Sequence, residues 1–248
     1  MKTMAIATDT ATIIELSGAH RRLPELLHVL QFGDSALPVG GFSFSNGLES
    51  AVQQGLVHDA DTLREFVDTA MRQSATCDGV AVLCAHRAAR ASDLAALLAI
   101  DNKLFERRLN EETRLMTTRM GRKLSELADA LTGDELTREW LGAIKRGETP
   151  GTHSVSLALA LSRLNVERRD AFGVQQYGVA TTILGAALRL MRIPFTQTQK
   201  ILLGTTGRIA DAYESVADAT IDDMASFAPM TDILAAIHVK GHVRMFMN

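Results

Sequence analysis

Apolar positions along the 248-residue chain recur at helical spacing, and the alternation of a half-buried strand is almost absent. Pro24 occupies the place of a first helical residue, with Leu26, Leu27 and Leu30 following on one stripe. Leu63, Phe66, Val67, Ala70 and Met71 form the apolar face of a helix opened by Asp61 or Thr62 with Glu65. Asp78 opens an alanine-rich helix through Val82, Leu83 and His86, and Asp93 opens another. The stretch DNKLFERRLNEETRLMTTRMGRKLSELADAL reads as one long helix from about Asp101 to Leu131. Its stripe is Phe105, Leu109, Met116, Met120, Leu124 and Leu127, and Arg107–Glu111 and Arg108–Glu112 pair on its wet side. Gly121 inside it costs about 1 kcal/mol relative to alanine, which predicts a close helix crossing there.

KRGETPG (145–151) is the clearest break. Beyond it, Thr149 and Pro150 start a helix through Leu157 and Leu161, and Asp170 starts an apolar helix that Pro194 terminates. Thr196 with Gln199 reads as a capping box, and Thr231 opens a last short helix before the tail GHVRMFMN. No repeat of fixed period appears. The pattern predicts an all-α, bundle-like fold of roughly nine to eleven helices in a single compact domain. The predicted organisation is a flexible N-terminal segment (1–22), an all-α domain (23–240) and a partner-binding C-terminal tail (241–248).

Between the first two helical patterns lies DSALPVGGFSFSNGLES, from Asp34 to Ser50. Asn46 with Glu49 reads as a capping box that ends the loop. A P-loop needs G-x-x-x-x-G-K-[ST] after a strand, but Gly41 and Gly47 are one residue too far apart and no lysine follows. A nucleophile elbow needs G-x-S-x-G, and Ser45 stands where the second glycine belongs. A rigid Pro/Gly frame presenting Phe42 and Phe44 as contact anchors fits the residues better than catalysis does.

Composition narrows the function classes further. With 26 Lys+Arg against 29 Asp+Glu, the net charge of −3 leaves no basic excess for a nucleic-acid backbone, and 5% aromatics argue against base stacking. The start, MKTMAIATDTATIIELSGAH, is broken by Asp9 and several threonines, unlike a signal peptide. The most apolar run, VATTILGAALRLMRI, carries Arg189 and Arg192 and is too short to span a membrane. Cys77 and Cys84, two helical turns and ~10 Å apart, are too distant for a disulfide. A reduced, cytoplasmic protein is expected. Of seven histidines only His238 and His242 have helical ligand spacing, with Gly241 between them. Nothing assembles a catalytic site, so the chain reads as a protein-binding protein and not an enzyme.

LLHVLQFGDSALPVGGFSFSNGLESAV resembles the signature of the UreF family of urease accessory proteins, in which D-S-x-x-P-x-G-x-F-x-x-S-x-G-L-E recurs. Asp34, Ser35, Pro38, Gly40, Phe42, Ser45, Gly47, Leu48 and Glu49 fall on it. LNEETRLMTTRMGRKLSEL is similar to the family's central helix at Glu112, Arg114, Met120, Gly121 and Arg122. AALRLMRIPFTQTQKIL matches at Arg189, Leu190, Gln197 and Gln199, and the tail matches at Arg244, Met245 and Phe246.

The resemblance implies an all-α, non-catalytic accessory protein that dimerises, binds the scaffold protein UreD (UreH in some systems) and recruits the GTPase UreG. It implies an assembly on apo-urease that delivers nickel to the dinuclear site, with this chain regulating GTP hydrolysis. It implies no cofactor held by this chain, nickel being handled by the complex. Three expectations follow for the partner-binding residues. The segment Asp34–Glu49 docks the GTPase; Arg114 anchors that segment through Asp34 or Glu49; the tail is free alone and orders on the UreD partner through Arg244 and Phe246. The alternative is a direct nickel carrier using His238 and His242 with His153.

Overall fold

The computed structural model describes residues 23–227 and, beyond them, residues 230, 233, 234, 237, 245 and 246. The expected N-terminal segment 1–22 lies outside the described residues. In chain order come α1 (23–33), a 3-10 turn (Gly41–Ser43), α2 (Leu48–Gln53), α3 (Ala60–Ser74) and a single π-helical turn (Ala75–Gly79). α4 (Val80–Arg90), α5 (Leu94–Glu106), α6 (Glu111–Thr132), α7 (Glu135–Arg146) and α8 (His153–Arg163) follow, then α9 (Arg168–Leu190), α10 (Phe195–Thr206) and α11 (Ile209–Val216). No strand occurs among the described residues, as the apolar periodicity predicts.

Caps set most boundaries. The carboxylate of Asp59 accepts from the backbone N–H of Thr62, whose hydroxyl answers the Asp59 N–H, so the cap of α3 lies two residues before the expected Asp61. Asp93 caps α5 as expected, accepting from Ala96 N–H at 2.9 Å. The expected long helix from Asp101 to Leu131 is in fact two. Asn110 is the N-cap of α6, its side-chain oxygen accepting from Thr113 N–H at 2.7 Å, and the chain breaks ahead of it. Arg108 pairs with Asp78, across the break. Asp78 itself caps nothing; it stands inside the π-turn that carries α3 into α4. Thr149 and Pro150 precede α8 and do not start it, because Thr152 holds the N-cap position. Glu167 and Pro194 take the same position for α9 and α10, ahead of the expected Asp170 and Thr196.

α8 is buried from Ser154 to Ser162, with α4 on one side and α6 on the other. Helices apolar all round belong inside. α9 threads both cores: Ala171, Phe172 and Val174 join Leu83, Leu124 and Trp140, while Ile183, Leu184 and Ala187 join Leu48, Leu63 and Val67. Gly121 marks the predicted close crossing. A Cβ built on it would lie 2.0 Å from the Gly151 carbonyl oxygen and 2.5 Å from the Thr152 carbonyl carbon. The loop at this crossing is fixed by Asp101, fully buried in α5. Its carboxylate accepts from Thr149 Oγ1 (2.5 Å), Gly151 N–H (2.7 Å), Thr152 N–H (2.8 Å) and Thr152 Oγ1 (2.5 Å). α1 presents the predicted leucine stripe outward: Leu26, Leu27 and Leu30 are exposed.

Candidate partner-binding face

The segment from Asp34 to Glu49 is an ordered set of turns, part surface and part core. Asp34 Oδ1 accepts from Ala36 N–H at 2.8 Å, and the Asp34 carbonyl accepts from Leu37 N–H at 3.0 Å. Val39 is buried and anchors this stretch, leaving Asp34, Ser35 and Pro38 exposed. Gly40, at φ 91°, and Gly47, at φ 82°, occupy left-handed backbone that a side chain would strain. Between them the 3-10 turn throws Phe42 outward at 72% exposure.

Phe44 goes the other way and is buried, so only one of the two expected aromatic anchors is presented. Asn46 does not cap α2; Gly47 is the N-cap and makes no side-chain bond. Ser45 and Glu49 are 0% and 2% exposed, with Ser45 Oγ accepting from Glu49 N–H at 3.4 Å. Ser45, Gly47 and Glu49 therefore shape the segment from inside and are not contact residues on its surface. The physical reason is the approach of the C-terminal residues: the Glu49 carboxylate accepts from Met245 N–H (2.7 Å) and Phe246 N–H (3.0 Å).

Phe246 is 5% exposed and packs in the α2–α3–α9–α10 core. The expectation that Phe246 stands off its own domain until a partner arrives is thus corrected: an aromatic ring with a core slot at hand buries there. Arg244, His238 and His242 lie outside the described residues. Arg114 does not reach Asp34 or Glu49 as expected. Its Nε donates to the Arg108 carbonyl at 2.7 Å and its guanidinium sits 5.0 Å from the Phe105 ring centroid, holding the α5–α6 break in shape.

A cavity of about 370 Å³ opens behind the Phe42 segment, between the π-turn, the start of α6 and the middle of α9. Its polar groups are largely uncharged. Burial pushes the Cys77 thiol up to about 12, with Asp78 beside it adding to the effect. Burial pushes His153 down to about 4, against the opposing pull of Asp78. The Asp78 carboxylate is satisfied by Arg108 and by Ser154 Oγ at 2.8 Å. Cys77 and Cys84 are free and buried, and no group of three or more His, Cys, Asp or Glu gathers among the described residues. No described helix is long and apolar enough to cross a membrane.

Arg189 falls on the family pattern in the sequence without a role, and the structure gives it one. Its Nη2 donates to the Phe42 carbonyl at 2.9 Å, and its guanidinium stacks on the Phe42 ring, 3.9 Å from the centroid. The available signal was a cation in the last turn of α9, at the end of that helix's apolar run, and the structure leaves it half-buried.

The family model described as UreF matches residues 57–206. The chain is 71% identical over 239 residues to the "Urease accessory protein UreF 2" of Brucella canis, covering 96% of this chain and 98% of that one. The protein of the same description in Brucella abortus is equally similar. The "Urease accessory protein UreF" of Yersinia pseudotuberculosis is 46% identical over 224 residues, covering 90% of this chain and 98% of the relative.

Proposed function

Because the chain belongs to the UreF family of urease accessory proteins, we propose that it is a non-catalytic adaptor in urease maturation, docking a UreG-type GTPase on its Phe42 face. The observation that carries this reading is Phe42 itself: an aromatic ring held 72% exposed on a turn fixed from behind by Arg189. An exposed ring is costly in water and is enriched where proteins meet, and its preset backbone lowers the ordering cost on association. Asp34, Ser35 and Pro38 continue the same exposed surface. In this role the chain governs when the GTPase hydrolyses GTP, contacts a UreD-type scaffold and apo-urease in the same cytoplasmic assembly, and passes nickel on without keeping it. It also self-associates through α1, whose exposed Leu23, Leu26, Leu27 and Leu30 form a stripe with much apolar surface to lose from water.

The test is co-purification of the GTPase with the complete accessory set, using wild-type chain and Phe42→Ala, with GTP hydrolysis followed in the same samples. The variant is expected to stay folded, keep the scaffold and lose most of the GTPase. Normal recruitment by a folded Phe42→Ala chain overturns the docking role.

A further inference from the structure

Two segments far apart in the chain meet on a single side chain. Arg189, in the last turn of α9, lies 3.9 Å from the centroid of the Phe42 ring and 4.0 Å from that of Phe246. The same guanidinium donates to the Phe42 carbonyl at 2.9 Å, and its Nε donates back to Gly185 within α9 at 3.4 Å. Beside it, Glu49 at the start of α2 takes the backbone N–H groups of Met245 and Phe246. The Phe42 ring is mostly in water, whereas the Phe246 ring is in the core.

We propose that Arg189 is a positioning residue that clamps the Phe42 turn and the C-terminal residues together, so that release of either loosens the other. The proposal rests on the reading of Phe42 as a docking residue, and adds that the seat of residues 245 and 246 is set by the same side chain.

Arginine has the shape for this. A planar guanidinium can stack on an aromatic face while its N–H edge donates in its own plane, which the point charge of lysine cannot do. Such stacking strengthens as water is excluded, and Phe246 is the dry side of this contact. With two rings on one cation, each ring restricts where the guanidinium can go and so prepares it for the other. By thermodynamic linkage the effect runs equally in both directions. A partner that draws Phe42 onto its own surface therefore weakens the hold on Phe246, and one that displaces the C-terminal residues frees Phe42. The fold thereby makes two distant chain segments answer to one event.

Amide hydrogen exchange on the full chain, with no partner present, tests this without depending on GTPase docking. In Phe42→Ala, the Met245 and Phe246 amides are expected to exchange about threefold faster, and in Arg189→Met about tenfold faster, as loss of one or both stacking contacts implies. Arg189→Lys is expected between wild type and Arg189→Met. Conversely, Phe246→Leu is expected to speed exchange at Ser43 and Phe44, whose N–H groups close the 3-10 turn onto Gly40 and Gly41. Amides of α8 serve as the folding control. Wild-type exchange at residues 245 and 246 in Phe42→Ala, with α8 unchanged, overturns the clamp. So does equal protection in Arg189→Met and Arg189→Lys, since a purely spatial role of the side chain predicts that equality. Phe42 is exposed, so its variant keeps the test decisive even where an Arg189 variant fails to fold. Loss of GTPase recruitment in Phe42→Ala together with undisturbed C-terminal exchange would leave docking standing and remove the clamp alone.

Discussion

Two loops of this molecule carry similar sequence signals and meet opposite fates. Asp34–Gly47 and Gly147–Thr152 each join two helices, and each holds glycines, a proline and small hydroxyl residues. The first stands at the surface, with Pro38 and Phe42 exposed and a cavity behind it. The second is built in: Thr149 and Thr152 are buried, and four donors converge on the carboxylate of Asp101. What separates them is the surroundings. Gly147–Thr152 crosses α6 at Gly121, where the backbones nearly touch, so water is excluded and every polar group needs a partner within the protein. Asp34–Gly47 passes over an open cavity and needs only a few pins.

The comparison breaks most sharply at Asp101. Asp101→Ala leaves the hydroxyls of Thr149 and Thr152 and the N–H groups of Gly151 and Thr152 without their acceptor, and a loss of about 4 kcal/mol is expected in denaturant unfolding. Gly121→Ala comes next, at about 3 kcal/mol, because the new Cβ meets backbone that cannot turn aside. Ordinary helix propensity predicts a gain of about 1 kcal/mol for the same change, so the sign of the result tests the crossing.

The third effect concerns His153, the first residue of α8, which borders the cavity where the two loops' territories meet. Burial holds its pKa near 4 in the folded chain, while the unfolded chain binds a proton below about 6.5. Stability is therefore full above pH 6.5 and falls as the pH drops from 6.5 toward 4. Allowing for its intermediate exposure, about 2 kcal/mol is expected over that window. His153→Gln should flatten the slope, leaving the part due to buried His86, whose pKa burial also lowers. An unchanged slope in His153→Gln places the effect elsewhere. The smallest effect on stability is Phe42→Ala, below about 1 kcal/mol by thermal unfolding, because its ring is already mostly in water. A larger loss would move Phe42 from the surface class of this comparison into the structural one.

Much of this was legible in the sequence, for identifiable reasons. Apolar periodicity follows from 3.6 residues per turn and needs no tertiary information, so the all-α class and the helices through Leu63–Met71, Val82–His86 and Leu157–Leu161 could be read directly. Gly121 was legible because a glycine within a helix is costly unless another backbone lies close. The signature from Asp34 to Glu49 was legible as a pattern, and it agrees with the family to which the chain belongs. Helix starts were less so: Asp59 and Asp61 are chemically the same cap, and only the chain's path selects between them.

Tertiary structure decided what depends on partners remote in sequence. Phe42 and Phe44 are the same residue type two positions apart; which one faces water was settled by the 3-10 turn and by Arg189 on another helix. Arg108 found Asp78, thirty positions away in the chain, because the break ahead of Asn110 brings the π-turn within reach. Glu49 resembles a capping residue in the sequence, yet it serves as an acceptor for the far end of the chain. Local spacing determines which residues share a helix face, whereas the choice of partner for a charge or a ring depends on which distant backbone closes over it and excludes water.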